Sequence, residues 1–264
     1  MIGISLAYDQ LLDITAGKES DEILMKIWEL GARSIELRTV PENEDPANVF
    51  AIATLLWNMG FNVTIHANAS KEESAVESAL FPLRTTLENM RQGELIVTLH
   101  PIMGDNTAML TALSDYVNEH NYPVRIALEN ERKMPDMTNG DSLALALNAV
   151  IAANRKNVGI CFDFGHLAWY YDARLNDPER LPPEEFLSRA IHTHIHECVN
   201  GDTHYPIVSY EGVIPSYITA LGSEYSGIYN IELSPERFTH LCSAEEGYIT
   251  SLRVFSAANS ALFE

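Results

Sequence analysis

Hydrophobic residues along the chain follow two alternating periods. Eight short runs are rich in apolar and β-branched residues and recur about every thirty residues. They read IGISLAY, RSIELR, FNVTIHA, ELIVTLHP, PVRIALEN, NVGICFDFGH, AIHTHIHE and GIYNIELS. Runs of this length and composition, separated by polar and turn-forming residues, predict β-strands.

The segments between these runs repeat their apolar residues with the period of an α-helix. In residues 21–30, Ile23, Leu24, Ile27 and Leu30 form one apolar stripe. The same period predicts helices over residues 74–90, 108–119, 142–153 and 246–262. Strand and helix alternating eight times predict a closed (β/α)8 barrel, the TIM barrel of the α/β class. A doubly wound open sheet is the alternative fold.

Length, composition and charge limit the domain organisation and the partners that the sequence allows. A chain of 264 residues, 46% of them hydrophobic, fits one domain spanning residues 1–264. Its formal charge of -20 repels nucleic acid and anionic membranes at long range. No apolar run approaches the roughly 20 residues of a membrane span. The three cysteines have no paired spacing and the sequence starts without a secretion signal, which together predict a reduced, cytoplasmic protein. The sequence is compatible with a homo-oligomer.

Residues that can bind metal occupy the ends of six successive strands. The third to eighth runs end at His66, His100, Glu129, Asp163, His194 and Glu232, and His166 closely follows the sixth. The carboxyl ends of the strands carry the active site in a (β/α)8 barrel. Buried carboxylates also need a partner, because desolvating an unpaired charge costs several kcal/mol. The pattern therefore predicts a site for divalent cations at the barrel mouth.

The seventh run and the segment after it, IHTHIHECVNGDTH, hold four histidines. Period-two alternation places His192, His194 and His196 inside the barrel. Ile191, Thr193 and Ile195 are placed outside, where the two isoleucines suit packing against the helices. His194 is the expected metal ligand, and His192, the deepest, is expected to be structural. His196 is expected at or beyond the rim, where it contacts a ligand residue or the substrate. Asp202 and His204 are expected in the following loop, within reach of the mouth.

Charged residues near the predicted mouth are candidate substrate contacts. On the second run, Glu36 and Arg38 lie on one face of the strand near the mouth. Arg132 and Lys133 follow the fifth run and Arg237 follows the eighth, where they could bind a phosphate or carboxylate. Solvated surface charges are the alternative interpretation of all three.

These motifs together resemble the xylose isomerase-like TIM barrels. That superfamily includes sugar phosphate isomerases and epimerases, and the endonuclease IV type of AP endonuclease family 2. The resemblance runs over most of the chain, and its most specific pieces are IHA, LHP, LEN, FDFGH, HIHECVNGDTH and IELSPE. It implies a metal-dependent enzyme whose partner is a small sugar or sugar phosphate.

The resemblance implies two alternative sets of metal ligands. In the isomerase and epimerase branch, one divalent ion is held by four residues, which match Glu129, Asp163, His194 and Glu232. In the endonuclease branch, nine residues hold three zinc ions, and they match His66, His100, Glu129, Asp163, His166, His194, Asp202, His204 and Glu232. All nine are present. The sequence is therefore compatible with a site for one ion and with a site for two or three ions. The candidate metals are zinc, manganese, magnesium and cobalt.

The chain also departs from the motifs of both branches. The endonuclease pattern continues from its third-strand histidine as HAPY, whose aromatic side chain wedges into duplex DNA, whereas this chain reads HANASKEE. Together with the acidic charge, this departure argues against nucleic acid as a partner. Many isomerase-like members carry Gly-x-Gly after the D-x-H-x-P element, where this chain reads IVSYEG. The geometry of that loop is therefore expected to differ.

The leading hypothesis is a divalent-metal-dependent isomerase or epimerase. It would act on a small sugar, sugar phosphate or related hydroxy-carbonyl compound by proton transfer through an enediolate. Glu129 and Glu232 would exchange the proton and His166 would position hydroxyls, while the expected substrate contacts are Glu36, Arg38, His196 and Arg237. The alternatives are a polynuclear-metal phosphoesterase related to endonuclease IV and a catalytically silent barrel that binds metal or sugar.

Overall fold

All eight predicted strands are present in the computed structural model, which describes residues 1–132 and 142–260. The barrel strands are β1 (Ile2–Ala7), β2 (Ser34–Val40), β3 (Asn62–Ala67), β4 (Leu95–Leu99), β5 (Val124–Glu129), β6 (Val158–Asp163), β7 (Ala190–Ile195) and β10 (Ile228–Ile231). Every neighbouring pair is parallel, and β10 lies between β7 and β1. The sheet thus closes on itself into a TIM barrel, and the open-sheet alternative is wrong.

Helices follow the strands and cover the outside of the barrel. They are α1 (Tyr8–Thr15), α2 (Glu22–Glu29), α3 (Pro46–Asn58), α4 (Ala75–Leu80), α5 (Arg84–Glu88), α6 (Asn106–Glu119), α7 (Ser142–Ala153), α8 (Phe164–Leu175), α9 (Glu184–Leu187), α10 (Val213–Leu221), α11 (Pro235–Phe238) and α12 (Ala244–Ala258). Within the described ranges, no helix is long and apolar enough to cross a bilayer.

The helices predicted over residues 74–90 and 246–262 differ in extent from those observed. The helix predicted over residues 74–90 is broken into α4 and α5 by a 3-10 turn, Phe81–Leu83. Pro82 explains the break, because its nitrogen has no hydrogen to donate to the preceding turn. The helix predicted over residues 246–262 starts earlier, at Ala244, after a capping box formed by Ser243 and Glu246. It ends at Ala258, and positions 261 and 262 lie outside the described residues.

The segment after β7 forms a hairpin instead of the expected loop. Strands β8 (Glu197–Val199) and β9 (Asp202–Tyr205) pair antiparallel, with Val199 opposite Asp202. The two residues between them, Asn200 and Gly201, have φ angles of 53° and 79°. Left-handed φ at both positions is typical of a tight hairpin turn. Asp202 and His204 are therefore held on a strand.

The barrel interior changes from apolar to polar toward the carboxyl ends of the strands. A small buried cluster, formed by Ile96, Ala127, Cys161 and Ile191, is separate from the main core. Ala127 and Cys161 lie two residues before the predicted ligands of β5 and β6, so this cluster lies beneath them inside the barrel. Ile191 was expected to face the helices. It joins the inner cluster instead, next to a register shift between β6 and β7.

Candidate metal centre

Four predicted ligands meet at the carboxyl ends of neighbouring strands β5, β6, β7 and β10. Glu129 and Asp163 are the last residues of β5 and β6, His194 is the penultimate residue of β7, and Glu232 directly follows β10. All four side chains are buried. One potential ligand atom from each lies within 4.8 Å of the other three. This spacing brings three carboxylates and one imidazole together as a set that could hold a single ion.

The Nδ1 atom of His194 lies among the three carboxylates. It is 3.2 Å from Glu232 Oε2, 3.3 Å from Glu129 Oε1 and 4.0 Å from Asp163 Oδ2. Within the described part of the chain, Glu129 Oε1 and His194 Nδ1 are buried atoms with no hydrogen-bond partner. Buried polar atoms are rarely left in this state. The unpaired atoms and the donor types both fit a divalent cation.

Burial and neighbouring charges act in opposite directions on the pKa values of Glu129, Glu232 and His194. Burial raises the pKa of Glu129 and of Glu232, but nearby histidines more than offset it and hold both values well below the ordinary range. Burial acts to lower the pKa of His194, and the surrounding acidic groups raise it well above its usual value. Glu129 and Glu232 thus stay ionised inside the protein because positive charge lies beside them. A bound cation would supply that charge directly.

Glu129 presents its second oxygen to two further histidines. Glu129 Oε2 lies 3.1 Å from His66 Nε2 and 3.3 Å from His100 Nε2. His66 is buried, whereas the side chain of His100 is 49% exposed at the mouth. His100 also lies 3.4 Å from Glu131, a carboxylate that the strand-end argument missed. Period-two alternation continued past Glu129 would have found Glu131, on the same side of the chain.

A second group of potential ligands surrounds Asp163. Asp163, His166, His196 and His204 each offer one ligand atom within 4.8 Å of the others. His204 Nε2 also lies 3.3 Å from Glu232 Oε2. Burial and the neighbouring His196 lower the pKa of His204 to about 4, so its ring is neutral near pH 7 and has a lone pair for a metal.

Two of the nine, His100 and Asp202, belong to none of the ligand groups found among the described residues, and Asp202 is paired with arginines instead. Its Oδ1 atom contacts Arg237 and lies 3.4 Å from Arg132. The two arginines therefore pair with a carboxylate that the three-ion pattern would use as a ligand. Arg38 lies close by in the fold, since its Nη1 atom donates to Ser234 Oγ at 2.9 Å. Lys133 lies outside the described residues.

His196 directly follows β7 and contacts the predicted ligand Asp163, as expected, but the hairpin buries it and leaves 1% of its surface exposed. Its Nδ1 lies 2.9 Å from the backbone nitrogen of His204, and a backbone N–H can only donate. In the neutral ring, Nε2 therefore carries the proton and donates it to Asp163 Oδ2, 3.0 Å away. The carbonyl oxygen of Glu197 is more distant from Nδ1, at 3.3 Å. His196 thus links Asp163 to the hairpin.

A glycine makes room for this link. A Cβ atom at Gly165 would lie 2.0 Å from Cε1 of the His196 ring. Real Cβ atoms never approach a ring so closely, so the glycine of FDFGH is required for the position of His196. The residue before it, Phe164, begins α8, and Asp163 caps that helix by accepting the N–H of His166 at 2.6 Å. Asp163 is therefore fixed through both of its oxygens.

Glu36 lies deeper than expected. We expected it near the mouth, but it is fully buried in the middle of β2 and contacts Ser5, His192, His194 and Asn230. Its carboxylate has no exposed surface through which a substrate could reach it. His192, expected to be structural, is fully buried as a partner of Glu36.

Solved structures with the same fold include several sugar-modifying enzymes. A D-psicose 3-epimerase, crystallised in the presence of D-fructose, has a TM-score of 0.54 and 14% identity over 98% of this chain and 93% of its own. A candidate xylose isomerase from Rhodospirillum rubrum has a TM-score of 0.64 and 13% identity over 97% and 98%. A sugar phosphate isomerase/epimerase from Parabacteroides distasonis has a TM-score of 0.60 and 12% identity over 100% of both chains. At these identities the likeness establishes the fold.

The family assignment rests on the sequence. A comparison with curated proteins finds no match. The family model of the xylose isomerase-like TIM barrel matches residues 105–258, more than half of the chain, and this range contains Glu129, Asp163, His194 and Glu232. The chain therefore belongs to the xylose isomerase-like TIM barrel family.

Proposed function

We propose that this protein is a divalent-metal-dependent isomerase or epimerase of a small sugar, sugar phosphate or related hydroxy-carbonyl compound. The observation that carries the proposal is the convergence of Glu129, Asp163, His194 and Glu232 within 4.8 Å at the barrel mouth. Three oxygen donors and one imidazole suit manganese, zinc, cobalt or magnesium. A bound ion would polarise the substrate carbonyl and stabilise the negative charge of an enediolate.

Two glutamates are placed to exchange a proton with the substrate. Glu129 and Glu232 are carried by strands separated by β6 and β7, and each approaches His194 Nδ1 from its own side. Both have a pKa held below the ordinary range by neighbouring histidines, so both are in the ionised form that proton abstraction requires. One would take the proton from the carbon next to the carbonyl, and the other would return a proton to the same or the neighbouring carbon.

The groups at the mouth could contact the rest of the substrate. His166 is buried within hydrogen-bonding distance of the site, and Arg237, Arg132 and Arg38 supply positive charge nearby. Arginines at the mouth of a chain with a net charge of -20 favour a substrate that carries a phosphate or carboxylate. The epimerase and sugar phosphate isomerase/epimerase among the structural neighbours agree with a substrate of this class.

A specific observation also favours a second candidate, a polynuclear-metal phosphoesterase. One oxygen of Glu129 lies near His194, and the other lies near His66 and His100. Asp163 lies in the second ligand group, with His166, His196 and His204. Carboxylates shared in this way can bridge two ions that activate water. The pairing of Asp202 with two arginines weighs against the full three-ion arrangement. A barrel that binds metal or sugar without turnover is the remaining alternative.

Deuterium exchange distinguishes these activities. The protein loaded with manganese, zinc, cobalt or magnesium is incubated in deuterated water with ketoses, ketose phosphates and hydroxy acids, and the products are analysed by NMR. Proton transfer through an enediolate predicts deuterium at the carbon next to the carbonyl in at least one compound. A parallel panel of phosphoesters serves as the comparison. Hydrolysis of a phosphoester without deuterium uptake in any candidate would replace the isomerase proposal by the second one.

A further inference from the structure

Glu36 is a buried carboxylate outside the proposed ligand set. It lies on β2, away from the four strands that carry Glu129, Asp163, His194 and Glu232, and its side chain has no exposed surface. An ionised carboxylate in the interior of a protein is costly unless hydrogen bonds satisfy its oxygens. The partners of Glu36 therefore indicate what the residue does.

Four donors surround this carboxylate. Ser5 Oγ donates to Oε1 at 2.6 Å, and Asn230 Nδ2 donates to the same oxygen at 3.1 Å. His192 Nε2 lies 2.9 Å from Oε2. His194 Nε2 lies 3.1 Å from Oε1 and 3.3 Å from Oε2. Asn230 also donates to Ser5 Oγ at 2.7 Å, so the polar partners support one another and hold Glu36 in one place.

The hydrogen bond to His194 has a directional consequence. An ionised carboxylate only accepts hydrogen bonds, so the Nε2 atom of His194 must carry the proton that it donates to Glu36. In the neutral ring that would bind a metal, the lone pair is then on Nδ1, the atom that faces Glu129, Asp163 and Glu232. If the proton were on Nδ1 instead of Nε2, the lone pair on Nε2 would face the Glu36 carboxylate and Nδ1 could not bind a metal.

We propose that Glu36 is a positioning residue for the metal centre, which fixes the ring orientation and the proton of His194 so that Nδ1 points at the ion. This inference rests on the proposed metal-dependent function. This role differs from the substrate contact expected for Glu36, because the buried carboxylate contacts His194 and does not contact the substrate. Carboxylates that hold metal-bound histidines in this way typically change metal affinity by about 10-fold to 100-fold when they are removed.

The variant Glu36→Gln tests this directly. It keeps the size of the side chain but removes the charge that holds the His194 proton on Nε2. We expect the dissociation constant for zinc or manganese, measured by competition with a chelating dye, to rise by about 10-fold to 100-fold. The matched control is Thr64→Val, since Thr64 is buried at the register position next to Glu36 and its hydroxyl has no hydrogen-bond partner in the described structure. The control should bind metal as the wild type does.

The outcomes separate this inference from the proposed function. Absence of metal binding in the wild type would contradict the proposed metal-dependent function itself. Metal binding by the wild type together with an unchanged dissociation constant in folded Glu36→Gln would overturn the role of Glu36 alone. If Glu36→Gln does not fold, nitrogen-15 NMR of the zinc-loaded wild type decides the question. His194 should then bind through Nδ1 and retain a hydrogen-bonded proton on Nε2, whereas zinc on Nε2 would contradict the inference.

Discussion

Glu129→Gln and Glu232→Gln should each lower turnover by about a hundredfold to ten-thousandfold, the usual contribution of a positioned acid or base. Glutamine keeps the shape of the side chain but cannot accept a proton at neutral pH. Both glutamates approach His194 Nδ1, so neither change should leave the proton transfer intact. The measurement is the turnover number on the compound that exchanges deuterium with the wild type.

Loss of the metal could imitate this loss of turnover. Metal content is therefore measured in the same samples, and turnover is compared at equal occupancy. Glu211→Gln is the matched control, because Glu211 is an exposed glutamate outside the ligand groups. Wild-type turnover in either Glu129→Gln or Glu232→Gln at full occupancy would show that the altered glutamate does not move the proton.

The second large effect is expected on stability. A cation that binds only the folded protein stabilises it by about 2.7 kcal/mol when present at a hundred times its dissociation constant. The wild type should therefore unfold at a higher denaturant concentration with manganese or zinc than with a chelator. In His194→Ala this difference should largely disappear, because the imidazole at the centre of the carboxylates is gone.

A matched histidine variant controls for unrelated metal binding. His240 is exposed at the surface, and His240→Ala should keep the full difference between metal and chelator. The measurement is the free energy of unfolding from urea titrations of both variants and the wild type. An equal metal-dependent gain in His194→Ala and the wild type would place the stabilising ion elsewhere in the protein.

The barrel and the ligand strands could be predicted because two physical rules apply along the whole sequence. Buried strands of a parallel sheet read as short apolar runs, and βα loops gather functional residues at one end of the barrel. Glu129, Asp163 and His194 therefore fall near the ends of their runs, and the closed sheet brings them together. The alternation of His192 and His194 with Thr193 also gave the correct inner face of β7.

Depth along a strand and short local pairings were harder to predict. Alternation places Glu36 inside the barrel but does not say that it lies mid-strand, level with Ser5 and Thr64. The hairpin after β7 had a signal in the sequence, because Asn200-Gly201 favours a two-residue turn between paired strands. That hairpin pulls His204 over the site and covers His196, which the sequence had placed at the rim.

The pairing of Asp202 with arginine could not be predicted from spacing. Asp202 lies two residues before His204 and matches a ligand position of the three-ion pattern. Its partner Arg237 is distant in sequence and reaches Asp202 only because β9 and α11 are brought together in the fold. The partners of Asp202 therefore depend on tertiary contacts that the motif does not encode.

The central claim is that Glu129, Asp163, His194 and Glu232 hold a divalent ion, and the metal count per chain tests it most directly. The protein is stripped with a chelator, reloaded separately with manganese, zinc, cobalt and magnesium, freed of excess ion, and analysed by elemental analysis and native mass spectrometry. The account predicts at least one ion per chain in the wild type and loss of that ion in His194→Ala. A wild-type protein that retains none of these metals, while remaining folded, would contradict the account.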